Sequence, residues 1–139
     1  MTSFNDQIIA EFRQNNGVVT ANGFGDALIL VHHRGAKSGA ERVAPLMAIP
    51  DGDGWLVAAS AAGAPKHPAW FHNLVAGPST VVESPGAGAV ETVPVAASVL
   101  EGDERDAAWA KFTSRSPGFA AYEQRAGDRT IPVLLLTRR

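Results

Sequence analysis

Ala27-Leu28-Ile29-Leu30-Val31-His32-His33, then Val43-Ala44-Pro45-Leu46-Met47-Ala48-Ile49, then Trp55-Leu56-Val57-Ala58-Ala59-Ser60 are three apolar runs divided by two short polar stretches. Each run has the length and the branched and aromatic content of a strand. The first divider is Arg34-Gly35-Ala36-Lys37-Ser38-Gly39-Ala40-Glu41-Arg42, and the second is the turn signal Pro50-Asp51-Gly52-Asp53-Gly54. Neither divider has room for the crossover that parallel neighbours need, so the runs predict consecutive antiparallel strands. A doubly wound nucleotide-binding fold is thereby disfavoured.

Upstream, Phe4, Ile8 and Phe12 recur every four residues with Ile9 beside them, which predicts an amphipathic helix over 3–15 capped by Ser3. Asn15-Asn16-Gly17 ends it, so residues 1–16 are an N-terminal helix free to move against the rest. Val18 to Asp26 reads as a loop. Its Gly23-Phe24-Gly25 is no dinucleotide fingerprint, because it precedes a strand and the third glycine would fall at Leu28.

Downstream, Ala58-Ala59-Ser60-Ala61-Ala62-Gly63-Ala64 is uniformly small. Such residues let a flat ligand lie on backbone, and equally let a neighbouring element pack close. Pro68, Trp70, Phe71, Leu74 and the terminator Gly77-Pro78 predict a helix of about two turns. Residues 79–83 and 89–97 form a predicted hairpin in which Pro94 points to an edge or a bulge. Helical spacing returns over 103–115, Pro117 interrupts it, 118–125 is a second short helix and 130–137 is a last apolar strand. These antiparallel strands must curl to bury their apolar faces, which predicts one domain over 1–139, mainly β with flanking helices and closed as a small barrel.

The 139 residues suffice for one domain with a core. With 45% hydrophobic and 19% charged residues the composition is ordinary for a globular chain, and no run reaches the length of a membrane span. The absence of cysteine removes thiol catalysis, cysteine–zinc sites and iron–sulfur clusters. The start Met1-Thr2-Ser3-Phe4-Asn5-Asp6 has neither the basic nor the apolar region of a signal peptide, so a cytoplasmic location is expected. A net charge of -2 argues against nucleic acid as a partner.

The basic turn sets Arg34, Lys37 and Arg42 against the single carboxylate of Glu41. It can seat an anion through converging side chains and N–H groups, or be only a solvated hairpin. It is not a P-loop, whose glycines would fall at Val31 and Ala36, nor a nucleophile elbow, since Ala36 and Ala40 stand where Ser38 would need glycines. His32, His33, His67 and His72 lack the helical spacing of a zinc-binding pair, and no metal is expected. Asp51 and Asp53 belong to a turn, while Asp103, Glu104 and Asp106 suit a helix start. Phe119 and Tyr122 share a helical face, either as core or as a pocket wall with Tyr122 as its polar handle. With no triad, dyad or metal, an enzyme built on these residues would rely on a bound cofactor.

Four pieces then occur in a telling order: Gly35-Ala36-Lys37-Ser38-Gly39 with Arg42 and Pro45-Leu46; Ser60 with Gly63-Ala64-Pro65; His67-Pro68-Ala69-Trp70-Phe71-His72-Asn73-Leu74; and Asp128-Arg129-Thr130-Ile131-Pro132-Val133. Together they resemble the deazaflavin-dependent nitroreductases, a branch of the split β-barrel flavin and deazaflavin oxidoreductases, over nearly the whole chain. The resemblance implies a split β-barrel of the FMN-binding type and coenzyme F-420, a deazaflavin hydride carrier with a phosphate and an anionic oligoglutamate tail. It implies that Lys37, Ser38 and Arg42 of the Lys-Ser-Gly turn, with Gly39, hold the charged groups, that Ala58, Ala59 and Ser60 lie along the ring, that Trp70 and Asn73 complete the site, and that Pro45 also belongs to the cofactor-binding set. Where relatives carry a lysine after the serine that matches Ser60, this chain has Ala61, and Lys66 is close enough in sequence to replace that cation. Where relatives that reduce bulky nitroimidazoles carry tyrosines along the late helix, it has Ser116, Phe119 and Tyr122.

The implied function is hydride transfer from the reduced deazaflavin to an electrophilic small-molecule acceptor such as a quinone, an enone or an activated nitro compound. Tyr122, Ser60 or water would supply the proton. The rival reading is a non-catalytic carrier of F-420 or of an apolar ligand such as a fatty acid, and a third replaces F-420 with flavin mononucleotide. The N-terminal helix is open to covering the pocket, touching a membrane surface or packing on a second subunit, so monomer and homodimer both stand.

Overall fold

Short links between apolar runs produce a meander, and the meander closes. In the computed structural model, which describes residues 4–20, 24–36, 38–60, 63, 66–86, 89–127 and 129–139, the order is α1 (Phe4–Gln14), β1 (Leu28–Arg34), β2 (Glu41–Asp51), β3 (Gly54–Ala58), α2 (Ala69–Ala76), β4 (Ser79–Pro85), β5 (Val90–Val99), α3 (Gly102–Arg115), α4 (Pro117–Ala126) and β6 (Val133–Arg138). Ser3, Lys37, Ala61 and Asp128 lie outside the described residues. The strands form a closed antiparallel barrel in the order β1-β2-β3-β6-β5-β4. As the dividers require, β1 pairs with β2 from Leu28↔Met47 to Arg34↔Glu41, and β2 with β3 from Ala48↔Val57 to Asp51↔Gly54. Closure comes from β6, set between β3 and β5, and from a short β1–β4 contact at Leu30↔Glu83 and Val31↔Val82.

Successive side chains of a strand point to opposite faces, and in β1 and β3 both faces are covered. Ile29 and Val31 enter the barrel with Val57, Val82, Val95, Leu134 and Leu136, while Leu28 and Leu30 pack outward on Ile8 and Phe12 of α1. This is why β1 and β3 read as continuous apolar runs and not as alternating ones. A second outer layer sets Trp109 and Phe112 of α3 and Phe119 of α4 against Ile49, Leu56 and Val133. The helix α1 is also tied by charge: Arg13 reaches the buried Glu83 carboxylate in two-pronged fashion at 3.0 and 2.7 Å, and His32 Nε2 meets the same group at 2.7 Å.

The edge or bulge expected at Pro94 is resolved differently. Pro94 sits on a strand paired on both sides, one residue beyond the β5–β6 ladder, whose terminal pair is Val95↔Arg138. Its carbonyl accepts the Arg139 N–H at 3.1 Å, so its own nitrogen faces the same side, at the last rung toward β6, where at most one bond is forfeited. The last strand begins at Val133 instead of Thr130, since the preceding residues bond to the end of β3 as a connection. Among the described residues no helix is long and apolar enough to cross a membrane.

Candidate active site

The barrel is split where β2 and β3 part. Their ladder ends at Ala48↔Val57, while β2 continues to Glu41 beside β1 alone. The gap is a cleft of about 910 Å³, within the range of small-molecule sites. Pro45, Leu46 and Met47 line it from β2, Ala58 and Ser60 from the end of β3, and Trp70 from α2. Ser116, Gly118, Phe119 and Tyr122 cover it from α4 and the turn before it. A proline is tolerated in β2 for a geometric reason. The Ala48 N–H donates to the Ala27 carbonyl at 2.9 Å, so even-numbered residues aim their N–H groups at β1 and Pro45 aims its missing one at the open cleft.

The basic turn leads directly into this wall, since Arg42 precedes Pro45 by three residues, roughly 10 Å of strand. It is tightly closed: Gly35 N–H donates to the Ala40 carbonyl at 2.9 Å, Gly39 N–H to the Gly35 carbonyl at 2.8 Å, and Ala40 N–H to Ser38 Oγ at 3.2 Å. Gly39 makes the turn at φ 72°, a left-handed value that suits glycine. Arg34 pairs with Glu41 at 3.2 Å, whereas Arg42 is exposed and has no ion pair among the described residues. Asn73, expected beside the cofactor, is buried with both ends of its amide in use. The Ala36 N–H donates to its Oδ1 at 3.0 Å, which leaves Nδ2 to donate to His33 Nδ1 at 2.9 Å. His33 is therefore the acceptor and neutral, and burial, then Arg42 and His32, push its pKa down. Asn73 thus anchors the turn to α2.

The other wall is largely backbone. Ala59 is fully buried with its side chain in the barrel core, and its N–H donates to the Pro132 carbonyl at 2.9 Å. Gly63, at φ 80°, lies so close against α4 that a Cβ there would be 2.6 Å from Arg125 Cβ and 2.8 Å from the Tyr122 carbonyl. Tyr122 stands edge-on to Phe119, whose ring packs in turn on Trp109 and Phe112. Neither the Tyr122 hydroxyl nor the Ser60 hydroxyl has a hydrogen-bond partner among the described residues, and both residues line the cleft. Lys66 is exposed and lies off the lining.

The structure thus gathers Pro45, Ala58, Ser60, Trp70 and Tyr122 in one cleft, with Ser38 and Gly39 on the turn that leads to it and Arg42 at the start of β2. Residues not singled out beforehand also line it: Asn5, Phe24, Ala27, Met47, Gly118 and Arg115. Arg115 closes α3 just before Pro117, and nothing in the helical spacing distinguishes it from a solvated surface arginine.

Residues 6–138 match the model of the F420H(2)-dependent quinone reductase family. The chain belongs to this family. A F420H(2)-dependent quinone reductase of Mycobacterium tuberculosis is 32% identical over 117 residues, covering 80% of this chain and 73% of that protein. A second M. tuberculosis protein, provisionally named as another such reductase, is 34% identical over 111 residues, 80% of this chain and 89% of its own length. Among solved structures, a F420-H2-dependent reductase has 34% identity and a TM-score of 0.69 over 79% of this chain and 93% of that one. Another, described as a domain-swapped dimer, has 30% identity and a TM-score of 0.71 over 96% and 99%. Both the deazaflavin family and the split barrel expected from the motifs are met in this quinone reductase family member.

Proposed function

We propose that this quinone reductase family member reduces a small quinone-type acceptor with a hydride from coenzyme F-420, its ring in the split between β2 and β3 and its anionic tail on the basic turn. The carrying observation is the continuity of the two: a cleft of about 910 Å³ opens three residues from an exposed Arg42 that has no ion pair among the described residues. The donor set suits such a group, since a flat ring finds small residues and Trp70, and a phosphate or carboxylates find a cation. When bound, the reduced deazaflavin supplies the hydride.

The chain's own residues position and protect. Arg42, the Ser38 hydroxyl and the backbone at Gly39 would hold phosphate or carboxylates, joined by Lys37. Pro45, Ala58, Ala59 and Ser60 would bound the ring, and Trp70 would close the cleft beside it. Asn73 serves by holding the turn in register with α2. A quinone that has taken a hydride needs one proton, and Tyr122 and Ser60 each offer a hydroxyl not engaged elsewhere among the described residues. Phe119 and Tyr122 shield the cleft from water, which favours alignment of donor and acceptor. Lys66 is the cation proposed to offset Ala61; an unchanged cofactor affinity in Lys66→Ala would remove it from the site.

Spectroscopic titration of the purified protein with F-420 tests this reading. Saturable binding at micromolar cofactor is expected, and no binding at that concentration would overturn it.

A further inference from the structure

The cleft wall formed by the end of β3 has no bulky side chain of its own. Ala58 and Ser60 are small and Ala59 turns into the barrel, so the wall's shape depends on what holds its backbone. Arg129 does so. Its Nη1 donates to the Ala59 carbonyl at 3.0 Å and to His67 Nδ1 at 2.8 Å, and its Nη2 donates to the Ser60 carbonyl at 2.6 Å. The same connection supplies the Pro132 carbonyl to the Ala59 N–H, and the Gly63 N–H adds a second donor to the Ser60 carbonyl at 2.9 Å. Arg105 of α3 holds that connection from behind, donating to the Ile131 carbonyl at 2.8 and 3.2 Å. The end of β3, the approach to α2 and helix α3 are thus joined through residues 129–132.

His67 completes the arrangement. A guanidinium can only donate and stays charged, so His67 Nδ1 must be unprotonated and the ring neutral. Burial first, then Arg129 and His72, lower its pKa. The rings of Phe71 and His72 stand 4.9 and 5.9 Å from it, and Lys66 precedes it in sequence.

We infer that Arg129 is a positioning residue for hydride transfer, holding the Ala59 and Ser60 backbone in the form against which the ring lies, with neutral His67 fixing its orientation. The inference rests on the reading of the cleft as an F-420 site. Arg129 does not line the cleft and acts through the backbone it holds. Hydride transfer depends on alignment, and a misplacement of about 1 Å can cost roughly a hundredfold in rate. Affinity for the tail belongs to the basic turn, so the loss of Arg129 separates rate from binding.

The test compares wild type, Arg129→Gln, Arg129→Lys and His67→Ala in the full chain. In Arg129→Gln, kcat with reduced F-420 and menadione should fall roughly ten- to hundredfold while the F-420 Kd rises less than about threefold, and Arg129→Lys should recover part of the rate. A second readout needs no cofactor. NMR titration of the His67 ring should show its pKa moving up in Arg129→Gln, with displaced amide resonances at Ser60 and Gly63. An unmoved His67 titration with unmoved amides overturns the inference, as does a cofactor-binding Arg129→Gln whose kcat stays within about twofold of wild type. If Arg129→Gln does not fold, His67→Ala decides: a lowered kcat with retained Kd supports the inference, and a wild-type kcat overturns it. A wild type that fails to bind F-420 sinks the proposed function instead, and the cofactor-free titration still tests the clamp.

Discussion

Arg42 and Arg129 flank the same cleft, and their partners assign them different work. Arg129 directs its donors to two carbonyls and a histidine, whereas Arg42 is exposed without an ion pair among the described residues. Arg42→Ala should therefore leave unfolding stability within about 0.5 kcal/mol of wild type, as for other surface substitutions. Loss of a charge-assisted bond worth about 1.5–3 kcal/mol should raise the F-420 Kd roughly ten- to hundredfold. Fluorescence titration beside thermal melts checks both, and an equal loss of folding and binding would return the turn to a scaffold role. The cations of the turn were legible because charge clusters within nine consecutive residues. Arg129 was legible only as part of a motif, since its partners lie 62 to 70 residues away in sequence. Asn73 shows the converse: the motif placed it with the ligand, and its tertiary contacts tie it to the turn.

At the scale of elements, the cleft depends on two packed contacts. Gly63 itself lies against α4, and a Cβ there would press on Arg125 and on the Tyr122 carbonyl at a φ of 80° that side chains rarely adopt. Gly63→Ala should cost about 1–3 kcal/mol of stability through strain and overpacking. By displacing α4 it should also raise the KM for the quinone more than the Kd for F-420, which steady-state kinetics and cofactor titration separate. On the opposite side, α1 is held by Phe12 in the core and by the Arg13–Glu83 pair. Arg13 is about half exposed, so water screens part of that pair, and Glu83→Gln should cost about 1–2 kcal/mol in urea unfolding. The first three strands were readable because their dividers are short and their runs largely apolar. The start of β6 was not, because apolarity alone does not distinguish a strand from a connection that bonds to the end of β3.

For the whole molecule, acid should act in two stages. Burial holds His33 and His67 below the ordinary histidine range, and Arg13 holds Glu83 below the usual carboxylate range. In each case the folded chain binds the proton less readily than the unfolded one. Stability is therefore complete above the unfolded pKa and is lost as pH falls through the lowered value. Thermal midpoints should be level near neutrality, decline once pH drops below about 6.5, and decline again below about 4, as the carboxylate protonates. A midpoint that rises on acidification would contradict this assignment of protonation states.

The barrel's closure, the split between β2 and β3 and the cation beside that split lead to one function, and reoxidation of the bound cofactor tests it most directly. Reduced F-420 bound to the protein is mixed with menadione without oxygen, and the return of the oxidised deazaflavin absorbance is followed. The account predicts a menadione-dependent return, saturating with protein and slowed in Arg42→Ala at limiting cofactor. Tight binding with no reoxidation beyond the protein-free rate would contradict it.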